Sequence, residues 1–544
     1  MRDEQRAQRD IIPAGVSGVV TVGVATCSRT AGADAVLTAV HETLTRRPMP
    51  GVIVKTAGCI GLCSEEVLVK IARPHTPALL YGRVTPDQVP ELMTRYFIDR
   101  QPVAHRALCQ IPANGARVED IPVIDAVGFF ARQQQTTSWR CGHLDPERID
   151  DYVQMGGYRT LDAALKRFPA EILEVIKTAR LHGCGGRGTE VSDRWTTAAT
   201  TQADTKYLVC NALEVDPPSI KDRRLLESDP QMVIEGMVIA AYAIRARIGY
   251  LVLNPSYSLA RKRLEMALAQ ARRHRRLGQH IQGTDFNFEI LLRRGPATYV
   301  TGEETALVSF LAGTAGPRLV PPPMVESGLL GKPTVVANVE TFAHLTTLPF
   351  DSQAPVPVPT RHCTLDGTAH AGVVEVELGT SLRDLVCEIG GTSPDRIKAV
   401  SVGGHLGGLL PPDLLDTPMT HDAMAWLGVW PGTGRITVID RATCLMDWLR
   451  HHLRFAAAES CGQCTPCRDG MEQARRLAER VCDGTGQEDD LALLDQLAAY
   501  MKGSSMCGYG QAMPGSITTA LRHFGSELRE HVTARRCAAG VCHL

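Results

Sequence analysis

The stretch of sequence that decides the fold is Ser460-Cys461-Gly462-Gln463-Cys464-Thr465-Pro466-Cys467-Arg468. Its three cysteines follow a CxxCxxC spacing, and a remote fourth cysteine stands in Ser504-Ser505-Met506-Cys507-Gly508-Tyr509-Gly510. Three thiolates at this spacing with one distant partner are a ligand pattern of [4Fe-4S] clusters. The alternatives are unligated core thiols and a zinc site, although zinc more often uses paired CxxC units. The pattern predicts an electron-transfer protein whose [4Fe-4S] cluster is held by Cys461, Cys464, Cys467 and Cys507.

The composition argues against several other classes of protein. The 544 residues suffice for several domains, and a net charge of −1 gives no sign of a nucleic-acid partner. No apolar run approaches the ~20 residues that a membrane span needs, and the opening MRDEQRAQRD is too polar for a signal peptide. Seventeen cysteines without an export signal indicate metal ligation in a reducing compartment. We therefore expect a cytoplasmic protein with no direct membrane span.

Hydrophobic patterning predicts a multidomain α/β chain that ends in helices. A buried-strand run at Gly18-Val19-Val20-Thr21-Val22-Gly23-Val24 and a helical period from Ala33 to Arg46 indicate a small N-terminal α/β unit. Later segments alternate between helical and strand patterns, then turn to short β segments, and finally to helices. The predicted units are a small α/β unit at 1–100, a linker at 101–145, α/β layers at 146–355, short β segments at 356–440 and helices at 441–544.

Three cysteines of the N-terminal unit follow its predicted strands. Cys27 comes after the first strand, and Cys59 and Cys63 come after the second. This arrangement resembles thioredoxin-like ferredoxins, in which two cysteine pairs hold a [2Fe-2S] cluster. Here the first pair has one thiol, because Gly32 stands where the second is expected. Either Cys109 or a non-cysteine ligand completes a [2Fe-2S] site, or the unit has kept its fold and lost the cluster.

A second group of ligand-type residues lies near the C-terminus. Cys444, His531, Cys537 and Cys542 have the side chains that structural zinc sites use. The alternative is a set of scattered, unligated thiols. The remaining strand and helix cysteines, which are Cys210, Cys363, Cys387 and Cys482, are expected in the core.

Residues ~140–544 resemble the flavin-bearing, NADH-oxidising subunit of respiratory complex I. The beta subunits of NAD-linked formate dehydrogenases and of electron-bifurcating hydrogenases are similar over the N-terminal unit as well. The matching segments are Cys141-Gly142, Asp150-Asp151-Tyr152, Gly156-Gly157-Tyr158, Lys221-Asp222-Arg223, Gly302-Glu303-Glu304-Thr305-Ala306-Leu307, Gly316-Pro317-Arg318-Leu319, Gly331-Lys332-Pro333-Thr334-Val335-Val336, Asn338-Val339-Glu340-Thr341 and the cluster motif.

This resemblance implies a domain order and a chemistry. A thioredoxin-like domain is followed by a Rossmann-like FMN domain, a β-grasp-like (SLBB) domain and a helical [4Fe-4S] domain. NADH would give a hydride to FMN, which passes single electrons to iron–sulfur centres. The implied partners are other iron–sulfur and catalytic subunits of an oxidoreductase complex.

The resemblance also assigns site residues. Glu303 and Glu304 are implied to shape the catalytic site. The implied cofactor-binding residues are Gly183, Gly185, Gly186, Gly188, Arg194, Asn211, Glu214, Asp216, Gly302 and Asn338.

The chain departs from the family pattern at the positions expected to touch the nucleotide. The replaced positions hold Cys184, Thr189, Glu190, Leu213, Val215, Val320, Pro323 and Ala337. Two functions therefore remain open at this point. One is an enzyme, an FMN-dependent NAD(H) diaphorase subunit; the other is a scaffold and one-electron relay whose flavin and NADH site is lost. A third alternative is a different ligand, because Thr189, Glu190 and Pro323 suggest a more polar and less aromatic pocket.

Overall fold

The computed structural model describes residues 12, 15–112, 116–186, 188–217, 219–317, 322–350 and 355–544. In this part of the chain the strands form three separate sheets, and the last helices form a unit of their own. The architecture is therefore multidomain α/β, as the sequence predicts. The replaced position Val320 and the Arg318-Leu319 part of the family motif lie outside the described residues.

The N-terminal unit is built on one sheet with helices packed against it. Its elements are β1 Gly18–Gly23, α1 Thr26–Thr30, α2 Ala33–Arg46, β2 Val52–Ala57, β3 Val69–Ala72, β4 Ala78–Tyr81, α3 Val89–Phe97 and β5 Ala107–Ile111. The strand order is β2-β1-β3-β4-β5, with β1 parallel to β2 and antiparallel to β3. The β-branched side chains of Val20 and Val22 favour the strand β1. They share one hydrophobic core with Val36 and Val40 of α2. Strand β5 lies in the range predicted as linker.

The central unit is a parallel sheet covered by helices. Its strands are β6 Tyr207–Ala212, β7 Ile248–Leu253, β8 Glu289–Arg294 and β9 Thr334–Asn338. Short helix α4, Gly128–Ala131, precedes the unit, whose helices are α5 Ile149–Gln154, α6 Arg159–Ala164, α7 Pro169–Thr178, α8 Ser192–Thr200, α9 Lys221–Ser228, α10 Pro230–Ile244, α11 Ser258–Arg273, α12 Glu304–Leu311, α13 Met324–Ser327 and α14 Val339–Leu345. The strand order is β8-β7-β6-β9.

Helix α10 is the centre of this unit's core. Every residue of α10 except Tyr242 is buried, which agrees with an apolar composition on all faces. Gly236 lets α14 approach closely, because a Cβ there would lie 1.9 Å from the carbonyl oxygen of Phe342. The helix pair thus fixes α14, and with it Asn338 at the start of that helix.

The third unit is a mixed sheet. Its elements are β10 Thr360–Asp366, β11 Gly372–Glu377, β12 Ile397–Val402, β13 Gly408–Leu410, α15 His421–Trp426 and β14 Arg435–Asp440. The strand order is β11-β10-β14-β12-β13, in which β10 and β14 are parallel. The C-terminal unit consists of α16 Leu445–Ala458, α17 Thr465–Cys482, α18 Glu488–Ser504, α19 Gly508–Ala512 and α20 Gly515–Thr533.

Buried polar contacts join the units. The backbone N–H of Thr26 donates to Glu227 at 2.8 Å, which ties the N-terminal unit to α9. The buried carboxylate of Glu375 on β11 accepts from the N–H groups of Thr137 (2.9 Å) and Ser138 (2.8 Å). The segment before the central unit is therefore anchored to the third sheet.

None of the helices in the described ranges has the length and apolar character needed to cross a bilayer.

Candidate functional site

A cleft opens at the carboxyl edge of the central sheet, between β6 and β9. The strand order runs from β6 outward to β7 and β8 on one side and to β9 on the other. Asn211 and Asn338, near the carboxyl ends of these two strands, are register partners. Open parallel sheets bind ligands at such a change of direction, so the fold indicates a ligand site at this edge.

Segments from three of the four units form the walls of the cleft. The central unit contributes residues 183, 185–186, 188–191, 194–195, 299–300 and 302–304, the third unit 430 and 432–433, and the C-terminal unit 508–509 and 512. Tyr299, Trp430 and Tyr509 give these walls aromatic surface. The sequence motifs did not single out these three side chains, and they come from parts of the chain that only the fold brings together. Trp195 also lines the cleft.

The glycine-rich loop forms the floor of the cleft. The four glycines that the sequence analysis gave as cofactor-binding residues all line the cleft; they are Gly183, Gly185, Gly186 and Gly188. Gly186 has φ 127° and Gly188 has φ 65°, backbone conformations that favour glycine. Gly302 on the opposite wall is also close-packed, because a Cβ there would lie 2.7 Å from Cγ2 of Val215. The chain backbone can therefore approach a ligand from both sides.

Arg194 and Glu304 form an ion pair at the cleft. Nη2 of Arg194 lies 2.9 Å from Oε2 of Glu304, and both residues line the cavity. Arg194 stands in the first turn of α8, whose N-terminus follows the glycine-rich loop and has no side-chain cap. The cation expected to meet a phosphate is thus already balanced by an acid of the chain.

Glu303 is the N-cap of α12. Its side chain accepts from the backbone N–H groups of Thr305 (2.9 Å) and Ala306 (3.0 Å), which is a common role for an acid at a helix start. It also lines the cleft. Both predicted catalytic acids therefore lie at the cavity, each held by a contact within the chain.

The two asparagines at the switch point are bonded to their own chain. Asn211 donates from Nδ2 to the carbonyl oxygen of Gly302 at 2.9 Å. Asn338 Oδ1 accepts from Lys221 Nζ at 3.1 Å and from the N–H of Glu340 at 3.0 Å. Both residues line the cleft. Their side-chain hydrogen bonds go to other residues of the chain and hold the ends of β6 and β9 in place.

The Lys221 ammonium is the centre of a buried charge cluster. It lies 2.7 Å from Oε2 of Glu340 and 2.9 Å from Oδ1 of Asp222. Burial alone would lower the pKa of Lys221, but the two carboxylates raise it well above its usual value. Burial likewise opposes ionisation of Glu340, yet Lys221 lowers the pKa of that carboxyl well below its usual range.

Glu214 and Asp216, predicted as cofactor contacts, lie behind the cleft wall. Glu214 accepts from the N–H groups of Asp222 and Arg223, both at 2.9 Å, and from Tyr257 Oη at 2.9 Å. Burial and the neighbouring Asp222 raise the pKa of Glu214 to about 7. Neither acid is among the residues of the described chain that line the cavity.

Asp216 is fully buried and joins two units. Its carboxylate accepts from Nδ1 of His405 at 2.6 Å and from Oγ1 of Thr433 at 2.8 Å. The His405 ring in turn stacks on Phe455, with ring centroids 3.9 Å apart. This contact holds the loop after β6 against the third unit.

Six of the replaced positions fall into two groups. Thr189, Glu190, Val215 and Ala337 line the cleft. Leu213 is instead buried in a small core with Val209, Val252 and Leu307, and Pro323 is exposed. The sequence pattern alone did not separate these groups.

Cys184 lies on the far side of the glycine-rich loop, in a second cavity that shares this loop. Its Sγ, a carboxylate oxygen of Glu340 and a ring nitrogen of His344 lie within 4.8 Å of one another. Burial opposes a charge on His344, but Cys184 and Glu340 raise its pKa to about 10. The replaced position Cys184 thus has an imidazole beside its thiol, which the sequence pattern did not reveal.

Two of the four cysteines of the predicted cluster stand at helix starts. Cys464 is the N-cap of α17, and Cys507 is the N-cap of α19. The backbone N–H groups of Tyr509 and Gly510 donate to the thiol of Cys507. A Cβ on Gly510 would lie 3.0 Å from Cβ of Cys467, so the glycine allows the Cys507 loop to close on the CxxCxxC loop. Positive helix ends favour thiolates.

The C-terminal group also assembles. Ligand atoms of Cys444, His531, Cys537 and Cys542 lie within 4.8 Å of one another. Sγ of Cys444 is 3.2 Å from Nε2 of His531 and 3.8 Å from Sγ of Cys542. Burial opposes ionisation of Cys537, but the N–H groups of Cys542 and Val541, with His531, lower its pKa to about 6. Three cysteines and one histidine match a tetrahedral zinc set.

In the N-terminal unit, Cys27, Cys59 and Cys63 lie together, again within 4.8 Å of one another. Cys109, the cysteine proposed as a fourth ligand, is elsewhere. It pairs with Leu80 across the sheet and is buried with Leu68 and Leu80. Among the described cysteines of this unit, the candidate metal ligands are therefore the thiols of Cys27, Cys59 and Cys63.

Comparisons with known proteins agree with this geometry. The Nuo51 FMN-binding domain family matches residues 176–347, and the NADH-ubiquinone oxidoreductase-F iron-sulfur binding region matches residues 447–531. The NADP-reducing hydrogenase subunit HndC of Solidesulfovibrio fructosivorans is 37% identical over 422 residues, which are 76% of this chain and 86% of the relative. An NADH-quinone oxidoreductase subunit of Rhizobium meliloti is 36% identical over 408 residues, 73% of this chain and 96% of the relative.

A solved structure extends the similarity to nearly the whole chain. A chain of the NAD⁺-reducing [NiFe]-hydrogenase, crystallised in the H2-reduced state, superposes with a TM-score of 0.64 at 25% identity. The superposition covers 98% of this chain and 87% of that chain.

Proposed function

Because this chain belongs to the family of NADH-quinone oxidoreductase subunits that carry the Nuo51 FMN-binding domain, we propose that it is the electron-transfer subunit of an NADH-dehydrogenase-like complex, with FMN in the cleft and a [4Fe-4S] cluster beside it. The observation that carries this function is the position of α19. Gly508, Tyr509 and Ala512 of this helix line the cleft, and Cys507 at its N-cap is a cluster cysteine. A residue of the cleft wall, Gly508, is therefore the direct neighbour of a cluster cysteine in the chain.

The residues of the cleft fit FMN. The glycine loop and the uncapped N-terminus of α8 provide backbone N–H groups for a phosphate. The N-termini of α12 and α14 are not free for this purpose, because Glu303 and Asn338 cap them. Tyr299 and Trp430 supply apolar surface for a planar ring and exclude water from it.

The chemistry that FMN supplies when bound is the exchange between a two-electron hydride and single electrons. The chain's own part is positional. The backbone at Gly183, Gly185, Gly186 and Gly188 would approach the phosphate, and Gly302 the opposite face. Arg194 would neutralise phosphate charge once its guanidinium has left, or shares, its ion pair with Glu304. Asn211, Glu214, Asp216 and Asn338 would act through the loops that they fix.

We assign the four units the identities that the family suggests. Residues 1–100 would be thioredoxin-like, 101–145 a linker, 146–355 the Rossmann-like flavin domain, 356–440 the β-grasp-like SLBB domain, and 441–544 the iron–sulfur domain. The five-stranded first sheet, the parallel central sheet and the mixed third sheet support this division. Strand β5 would extend the first domain into the linker.

The cluster domain carries the remaining metal proposals. Cys461, Cys464, Cys467 and Cys507 would ligate the [4Fe-4S] cluster, with Cys461 exposed at its edge. Met506, beside Cys507, is 56% exposed, so this edge is accessible to a partner that exchanges electrons. Cys444, His531, Cys537 and Cys542 would hold structural zinc.

The partners would be other iron–sulfur and catalytic subunits of an oxidoreductase complex, in the cytoplasm. Relatives named as subunits of a hydrogenase and of NADH-quinone oxidoreductase support this setting. NAD(H) would be the hydride carrier at the mouth of the cleft.

Flavin and iron content of the native complex, purified anaerobically, tests the function. One FMN per chain with NADH-dependent ferricyanide reduction would support it. No flavin, with the [4Fe-4S] signal of this chain still present, would instead support the scaffold-and-relay alternative. A matched pair of variants links flavin to the cleft. Gly186→Ala and Gly331→Ala both place alanine at positive φ, 127° and 73°, but only Gly186 lines the cleft. We expect flavin loss in the first alone.

A further inference from the structure

The cysteines of the N-terminal unit are arranged for one metal ion. Sγ of Cys59 and Sγ of Cys63 are 3.8 Å apart, and Cys27 Sγ completes a triangle within 4.8 Å. Zinc–thiolate bonds of ~2.3 Å in a tetrahedron place two sulfurs about 3.8 Å apart. The Cys59–Cys63 distance therefore equals the edge of a tetrahedral site.

A [2Fe-2S] cluster does not fit this triangle. Such a cluster binds two protein ligands at each iron, so ligands of different irons are separated by the whole rhomb of the cluster. Cys27 would belong to the other iron, yet its Sγ lies within 4.8 Å of both Cys59 Sγ and Cys63 Sγ. The predicted [2Fe-2S] site and the observed group of thiols thus disagree.

A carboxylate lies beside the triangle, where it can supply a fourth ligand. Oε1 of Glu66 is 3.6 Å from Sγ of Cys27. The other oxygen, Oε2, accepts from the backbone N–H of Leu68 at 3.1 Å, so the carboxylate is oriented by a second contact, as metal ligands usually are. The N–H of Gly61 donates to Sγ of Cys59 at 3.2 Å in the same way.

Arg224 gives an independent reason to expect negative charge here. Its guanidinium is buried, and its hydrogen bonds within the described chain go to the carbonyl oxygens of Cys59 (3.2 Å), Ile60 (2.8 Å) and Val373 (3.3 Å). No carboxylate of the described residues forms an ion pair with it. A buried cation without a counterion is costly, and a metal with three thiolates and a carboxylate carries net negative charge beside it.

We propose that Cys27, Cys59, Cys63 and Glu66 form a mononuclear tetrahedral site for a divalent ion of the zinc type, in place of an iron–sulfur cluster. Binding releases the protons of the three thiols and of any protonated carboxyl, and no electron is transferred. The site is structural and lies outside the electron path between cleft and [4Fe-4S] cluster.

The location of the site gives the ion a role. The N–H of Cys59 donates to Oγ of Ser228 at 3.1 Å, and Thr26, next to Cys27, bonds Glu227. Both acceptors belong to α9 of the central unit. An ion that ties the Cys27 helix to the Cys59–Cys63 loop would therefore fix the face by which the N-terminal unit contacts the flavin domain.

Metal analysis of the full chain, purified anaerobically, tests the proposal. We expect Cys59→Ser to lose one equivalent of zinc while iron stays at the level of one [4Fe-4S] cluster. Cys109→Ser, which changes a buried cysteine of the same unit away from the group, should keep both metals. The C-terminal zinc group is intact in both variants, so the difference between them reports the N-terminal site alone.

A second variant guards against misfolding of Cys59→Ser. Glu66→Ala keeps all three thiols, and we expect its zinc to pass to a chelator at least about tenfold faster. Cobalt substitution should give the ligand-field bands of a tetrahedral ion, altered by Glu66→Ala. Two irons beyond those of the cubane, with a [2Fe-2S] EPR signal lost in Cys59→Ser, would overturn the proposal. Equal zinc content in Cys59→Ser and Cys109→Ser would also overturn it.

Discussion

Nη2 of Arg194 lies 2.9 Å from Oε2 of Glu304, so the cation at the glycine-rich loop is paired with an acid from the facing wall. The pair sets the charge that an anionic ligand meets when it enters the cleft. A phosphate has to draw Arg194 away from Glu304 or share it.

The first prediction concerns this pair. Glu304→Gln should tighten FMN binding by about tenfold, because a charge-assisted contact of about 1.5 kcal/mol becomes available to the phosphate. Arg194→Ala should weaken binding by a similar factor. Quenching of FMN fluorescence on titration into flavin-free protein measures both. Lys332→Ala removes an exposed pair with Asp204 elsewhere and should change nothing; equal affinities in all variants would exclude a role for the pair.

The second prediction separates Leu213 from the replacements that line the cleft. Leu213→Asp puts a carboxylate at a replaced position, but the side chain is buried among Val209, Val252 and Leu307. We expect a loss of about 2–5 kcal/mol of unfolding free energy, as for other buried leucines. Urea denaturation measures this loss. Tighter flavin binding with unchanged stability would show that position 213 faces the ligand.

The third prediction addresses the buried Lys221 cluster. Lys221→Met leaves Glu340 and Asp222 buried without their cation, so we expect destabilisation of about 3–5 kcal/mol. The matched control is Lys332→Met, which breaks an ion pair whose side chains are 39% and 73% exposed. Its cost should stay below about 1 kcal/mol. Similar urea midpoints for the two variants would contradict this account.

The fourth prediction is a pH dependence. Burial alone would raise the pKa of Glu375, but His362 and other donors lower it far below the usual range; Lys221 does the same for Glu340. A lowered folded pKa gives stability that is present above the unfolded value of about 4.3 and is lost as pH falls further. Glu375→Gln should therefore show a flatter fall in melting temperature below about pH 4.3 than the wild type.

The control for this measurement is Glu377→Gln, on the same strand but exposed. It should follow the wild-type curve, because an exposed carboxyl gains little from folding. The iron–sulfur cluster is lost in acid in all three proteins. Comparing their melting temperatures at each pH removes this shared contribution. A Glu375→Gln curve parallel to the wild type would contradict the assignment.

The fifth prediction concerns the C-terminal group. Cys542→Ala should release one equivalent of zinc and expose the residues after α20 to protease, because the ion ties them to Cys444 and His531. Cys387→Ala, a partly exposed cysteine of the third unit, should retain zinc and resist cleavage. Zinc analysis with limited proteolysis distinguishes the two; a protected tail without zinc would mean that packing alone holds it.

The sequence predicted the parts of the site that lie close together in the chain. The CxxCxxC motif, the glycine-rich loop and the Cys59–Cys63 pair are local patterns whose chemistry follows from spacing. Even the C-terminal group was predictable from ligand types, since Cys537 and Cys542 stand near one another and His531 precedes them.

Other features depended on contacts that spacing does not encode. Tyr299, Trp430 and Tyr509 reach the cleft from three separate units. Glu214 was expected at the flavin, but the N–H groups at the start of α9 take up its carboxylate. Glu66 carries no motif, and only the fold brings it to Cys27.

The contact of buried Asp216 with His405 and Thr433 has a consequence for how the molecule melts. Separating the central sheet from the mixed sheet would break both hydrogen bonds of this carboxylate, so neither sheet loosens without a cost to the other. Heating should therefore unfold the two sheets in one shared calorimetric transition. The central and third units would then be separate in their architecture but would unfold together.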